Sequence, residues 1–171
     1  MGAIFLVGGA AALTRFSRRD GVRAGVGPVL TSQQYAQLEQ VADVMIPATD
    51  TPGAIAAGVP AFLRQLLTDW ASDRTRAEVL GVLDSIERQA WSKFGAAFVE
   101  LPAPRRTEIV RIVDEESIAA RDAAYSRFKY LVLVGYYQSE IGATHELRYE
   151  LVPGAWRSCL PLTEVGRASA V

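Results

Sequence analysis

Along most of the chain, apolar residues recur at separations of three and four, the period of a helix with one buried face. Leu38, Val41, Ala42 and Met45 form the first such face, which stops at Pro47. Proline lacks an N–H and disfavours the α region in the preceding residue, so Ile46 should be extended and the helix finished there. Thr31-Ser32-Gln33-Gln34 supplies the start, a hydroxyl three residues ahead of a glutamine as in a capping box. The pattern restarts at Pro60, which suits a first helical turn, and puts Phe62, Leu63, Leu66, Leu67 and Trp70 on an inner face. Asp73 reads as the cap of a longer helix with the stripe Val79, Leu80, Leu83, Ile86, Ala90, Trp91 and Phe94, ended by Gly95. A non-helical link through Phe98, Val99 and Leu101-Pro102 leads to a helix over Ile109, Val110, Ile112 and Val113. A further helix spans residues 117–137. Its second half, Tyr130-Leu131-Val132-Leu133-Val134, is apolar all round, which predicts a central, fully covered helix. A β-strand is the alternative for that run, but no partner strand is legible.

Between the first two helices lies a shaped loop. Pro52-Gly53 is a turn dipeptide, since proline presets φ and glycine accepts positive φ. Thr49, Asp50 and Thr51 are expected to bond back to nearby backbone N–H groups and stiffen the loop. At the other end, residues 151–171 hold two prolines, two glycines and little periodicity, which predicts an extended arm on the surface or on another protein. The expected fold is therefore all-α, an irregular bundle of about five helices with an extended C-terminal arm. Residues 31–171 form a single helical domain, and residues 1–30 an apolar, signal-like segment with a linker.

Length and composition fit that picture and remove several functions. At 171 residues, half of them hydrophobic, the chain can bury a core as one domain. A net charge of −1, with arginines dispersed among carboxylates, gives no electrostatic reason to expect nucleic acid. The single Cys159 and single His145 exclude an internal disulfide, multi-cysteine metal and iron–sulfur sites, and a C-x-x-C-H haem attachment. Residues 3–13 are an apolar run of signal-peptide length, too short for a comfortable span of about twenty residues. Arg15, Arg18, Arg19 and Arg23 follow this run rather than precede it. Three readings stay open: a signal lacking its upstream basic part, a short anchor with the domain on the cytoplasmic side, and a tail packed on the domain or a partner.

The chemistry-bearing residues form no familiar catalytic set. No dinucleotide-binding glycine pattern, phosphate loop or H-E-x-x-H occurs. Ser139, His145 and Asp50 can be assembled into a triad only on paper, without a nucleophile elbow. Asp43, Asp50 and Glu140 match no calcium-loop spacing; they read better as an exposed helical residue, a turn residue and a cap or salt-bridge partner. Cys159 is expected to be buried or at an interface. Tyr136, Tyr137, Tyr149 and Trp156 form an aromatic cluster suited equally to core packing and to a protein interface.

Two blocks resemble the gluconate 2-dehydrogenase small-subunit (subunit 3) family: IPATDTPGAIAAGVPAFL, residues 46–63, and a second block beginning Gly135-Tyr136-Tyr137-Gln138-Ser139-Glu140-Ile141-Gly142-Ala143. The second block continues through Glu146-Leu147-Arg148-Tyr149, Val152-Pro153-Gly154 and Cys159-Leu160-Pro161. Gln138 departs from the pattern, standing where a small hydroxyl residue is expected. The resemblance implies a noncatalytic small subunit of a periplasmic or membrane-associated dehydrogenase. Its large subunit would resemble glucose–methanol–choline flavoproteins, carry FAD and oxidise a sugar, sugar acid or glycoside. A c-type cytochrome carrying haem c would accept the electrons. The twin arginine at Arg18-Arg19 looks like a Tat export element, but the stretch after it is broken by glycines and Pro28 and is not an apolar run of the proper length. The small subunit itself would hold no cofactor and stabilise or help export its partner. On this reading Thr49, Asp50, Thr51, Pro52 and Gly53, with Tyr137, Ser139, Glu140, Tyr149, Pro153 and Trp156, are the expected partner interface. The alternatives are a stand-alone periplasmic helical ligand-binding domain, requiring a closed apolar pocket, and an enzyme using Glu140 and His145 as acid and base.

Overall fold

A computed structural model describes residues 29–149 together with Gly154, Cys159, residues 161–166 and Ala168. The apolar segment, the twin arginine, Pro153 and Trp156 lie outside these residues. Among the described residues the regular structure is helical: α1 (Ser32–Met45), α2 (Val59–Gln65), α3 (Asp73–Phe94), α4 (Ala103–Ala119), α5 (Ala123–Tyr137) and the single turn α6 (Leu162–Val165). α2 runs on into a wider π-helical turn, Leu66–Trp70, and a second π turn spans Gly142–Glu146. The link after α3 is a short 3₁₀ turn, Phe98–Glu100. The described part of the C-terminal arm includes α6, an exposed Cys159, and Ala168, whose carbonyl accepts from Arg148 N at 2.8 Å.

The ends of α1 follow its sequence. Thr31 Oγ1 accepts from Gln34 N while Gln34 Oε1 accepts from Thr31 N, so two otherwise orphaned donors are satisfied. Ile46 leaves the helix at φ −134°, one residue before Pro47. Pro60 sits in the first turn of α2, and α3 ends at Gly95 in the left-handed region. The core is one cluster to which every helix from α1 to α5 contributes, including Leu38 and Val41, Leu63 and Leu67, Leu83 and Ile86, Ile109, and Phe128 and Tyr136. α5 packs chiefly on α3 and α2, with α4 beside it. The one buried polar side chain among the described residues, Gln37, donates from Nε2 to the Leu83 carbonyl at 2.8 Å, joining α1 to α3.

Several expectations change. The cap of α3 is Ser72, whose hydroxyl accepts from Thr75 N, and Asp73 is the first helical residue. Trp70 is not on an inner face but 82% exposed. The π turn takes more residues per revolution than an α-helix, so the register that keeps Leu63 and Leu67 inside swings Trp70 out. Trp91 is likewise exposed, with its indole N–H donating to Glu87 on the surface of α3.

The helix expected over 117–137 is two helices. Residues 117–119 close α4, and the chain breaks at Ala120-Arg121-Asp122. Arg121 takes φ 53° and donates to the Ile118 carbonyl, and Asp122 N donates to Ser117 O, the bond pattern of a Schellman stop. Asp122 then caps α5, its carboxylate accepting from Ala124 N and Tyr125 N. α5 is central but not fully covered, because Tyr130 and Leu133 face outward.

Candidate functional site

The loop between α1 and α2 is closed by its own backbone. Ala54 N donates to the Ile46 carbonyl at 2.9 Å, and Thr49 N to Thr51 O at 3.0 Å. This folds Gly53 onto the incoming strand of chain. A Cβ at Gly53 would lie 2.6 Å from Ala48 N, 2.7 Å from Ile46 O and 2.8 Å from Pro47 C. Glycine is required there by close approach of backbone to backbone, not by a positive φ.

The threonines do other work than expected. Their hydroxyls do not bond to nearby backbone N–H groups: Thr49 Oγ1 donates to the Asp50 carboxylate at 3.0 Å, and Thr51 Oγ1 donates to Glu146 Oε2 at 2.9 Å. The sequence pattern points to local backbone partners, whereas the partner of Thr51 is 95 residues away.

The second half of the site is the turn after α5. Tyr136 is buried, and its hydroxyl donates to the Pro52 carbonyl at 2.8 Å. Ser139 Oγ donates to the Tyr136 carbonyl at 2.6 Å and accepts from Gly142 N at 3.0 Å. The turn is tight enough that a Cβ on Gly142 would run into the Tyr136 carbonyl oxygen. Leu147 N closes the following π turn on Gly142 O, which positions Glu146 to receive Thr51. Two bonds thus clamp blocks far apart in sequence: Tyr136 to Pro52 and Thr51 to Glu146.

Around this clamp the expected interface residues separate into two groups. Thr51, Pro52 and Ser139 are partly covered and Gly53 is buried; they hold the surface in shape. Thr49, Asp50, Tyr137, Glu140 and Tyr149 are exposed on it. Tyr137 is 41% exposed and meets the Tyr136 ring edge to face, with centroids 5.3 Å apart. The structural roles of Tyr136 and Glu146 were not foreseen. A tyrosine beside a tyrosine in an apolar helix gives no sign of which one turns inward, and a carboxylate within a tight turn gives no sign of its distant partner.

The paper triad of Ser139, His145 and Asp50 loses its nucleophile, because the serine hydroxyl is already used in two directions within its own turn. His145 is exposed, with Nδ1 3.0 Å from Thr144 Oγ1. Among the described residues no three His, Cys, Asp or Glu side chains come together in a way that could hold a metal ion. Cys159 is exposed on the arm, which removes the buried alternative of its expectation. The concavities on the described surface include an open groove of about 670 Å³ bordered by Val29, Leu30, Phe62 and Arg64. Another, of about 280 Å³, lies between α1, α4 and α5. Neither is enclosed, and neither is lined by Glu140 or His145. No described helix is long and apolar enough to cross a membrane.

The family model for gluconate 2-dehydrogenase subunit 3 matches residues 32–154, a span that holds both sides of the clamp. No curated protein and no solved structure matches the chain.

Proposed function

The chain belongs to the gluconate 2-dehydrogenase subunit 3 family, and from that membership we propose that it is the noncatalytic accessory subunit of an FAD-dependent dehydrogenase acting on a sugar, sugar acid or glycoside. Its partner is a flavoprotein of the glucose–methanol–choline type, which holds the flavin and performs the oxidation. This chain contributes a shaped surface that stabilises the partner or aids its export to the periplasm. A c-type cytochrome is the further subunit expected to take the electrons.

The observation that carries the reading is the clamp between the two family blocks. The hydroxyls of Thr51 and Tyr136 fix one loop against one turn, and that of Ser139 braces the turn itself, so all three are engaged in structure. Exposed aromatic side chains stand beside that fixed surface, and tyrosines on a rigid support are what protein interfaces favour. A surface that is ordered before contact loses less entropy on binding.

Co-purification with the flavoprotein tests this directly. Asp50→Arg and Tyr137→Ala, both at exposed positions, should each reduce the amount of complex recovered while leaving the helical circular dichroism unchanged. A complex that survives both substitutions intact would contradict the placement of the docking surface.

A further inference from the structure

α5 leaves a line of large apolar side chains uncovered. Tyr130 is 64% exposed, Leu133 39% and Tyr137 41%. Their spacing of three and four puts them on one face over two turns, while Tyr125, Phe128, Val132 and Tyr136 face the core. The helix carries no carboxylate between Ala123 and Tyr137, and its two cations are already paired. Arg127 meets Glu78 and Lys129 meets Asp114, each at 2.7 Å. The stripe is therefore an apolar ridge beside satisfied charges. Such i, i+3, i+7 anchors are how a helix seats in a groove of another protein.

The ridge is also continuous with the clamp. Its last member, Tyr137, packs edge to face on Tyr136, whose hydroxyl holds Pro52. We propose that Tyr130, Leu133 and Tyr137 form the apolar centre of the contact with the flavoprotein subunit. They would lie in a groove with apolar walls whose rim offers hydrogen-bond acceptors to the two tyrosine hydroxyls. This extends the docking surface about two turns along α5 from the clamped loops, and it rests on the subunit reading.

Titration of the purified flavoprotein with this chain provides the test. Tyr130→Arg and Leu133→Arg place a charge in the centre of the proposed contact and should each weaken the Kd by about 30-fold or more. Ile118→Arg, at an apolar position of α4 that is 62% exposed, should change it less than about twofold. Thermal melts read alongside confirm that the variants remain folded. If the unsubstituted chain binds and both α5 variants bind equally well, the ridge proposal falls and the loop surface stands. An equal loss at Ile118→Arg would also overturn the ridge. If the unsubstituted chain does not bind, the subunit reading falls and the ridge with it. A chain that dimerises alone, and becomes monomeric with Leu133→Arg, would assign the ridge to a second copy and overturn the proposal.

Discussion

Gly53 illustrates how a single atom can decide a loop. Three backbone atoms of residues 46–48 occupy the space of its missing Cβ, and none can retreat like a flexible side-chain tip. Gly53→Ala should therefore destabilise the domain by about 2–3 kcal/mol, seen as a lower midpoint in urea, with the overpacking relieved only by opening the loop. Tyr136→Phe removes one hydroxyl and the bond to Pro52 while keeping the ring; a loss of about 1 kcal/mol is expected in the same measurement. Tyr125 gives the opposite case. Its hydroxyl is buried without a well-formed hydrogen bond, and burial, with the nearby Asp114 carboxylate adding to it, raises its pKa above the ordinary 10.0. A raised tyrosine pKa means that the folded state holds the proton more tightly than the unfolded state. Ionisation of Tyr125 thus leaves stability untouched below pH 10.0 and lowers it as the pH rises beyond, because the unfolded chain loses the proton first. Tyr125→Phe should leave stability at neutral pH equal or improved and flatten the loss above pH 10.0; parallel curves for the two proteins would contradict this.

Individual elements declared themselves where their ends have local chemistry. Thr31 with Gln34, Pro47, Pro60 and Gly95 each act through neighbours within four residues, so the sequence alone places both ends of α1, the start of α2 and the end of α3, while the cap of α3 lies one residue earlier than Asp73. The break between α4 and α5 escaped because Arg121 occupies a left-handed position that usually belongs to glycine. Nothing in an arginine announces it, and Asp122 reads as one more polar residue on an exposed face. Arg121→Gly should relieve the strained conformation and stabilise the domain by about 0.5–1 kcal/mol, raising the melting temperature by roughly 2–4 °C. Asp122→Ala removes a cap bonded to two N–H groups and should cost about 1 kcal/mol. Trp70 was misplaced for a different reason. A period of 3.6 residues cannot foresee a π turn, whose extra residue rotates everything after it.

At the scale of the whole molecule, the two family blocks are separate sentences in the sequence and one surface in the fold. Their residue types, turn-forming at 46–53 and aromatic with small residues at 135–143, could be read in advance. Their contact could not, since Thr51 with Glu146 and Tyr136 with Pro52 are pairings across 95 and 84 residues. The same is true of the ridge on α5: an apolar run looks buried until the packing of α2, α3 and α4 determines which of its faces is covered. In the proposed subunit role, this assembled surface is what the chain offers its partner. The direct measurement is size exclusion of the chain expressed with and without the proposed glucose–methanol–choline-type flavoprotein, with absorbance followed at protein and flavin wavelengths. Co-elution with a yellow partner that is insoluble when made alone is the predicted result. A folded, colourless chain eluting by itself, beside a flavoprotein that is soluble and active without it, would contradict the account.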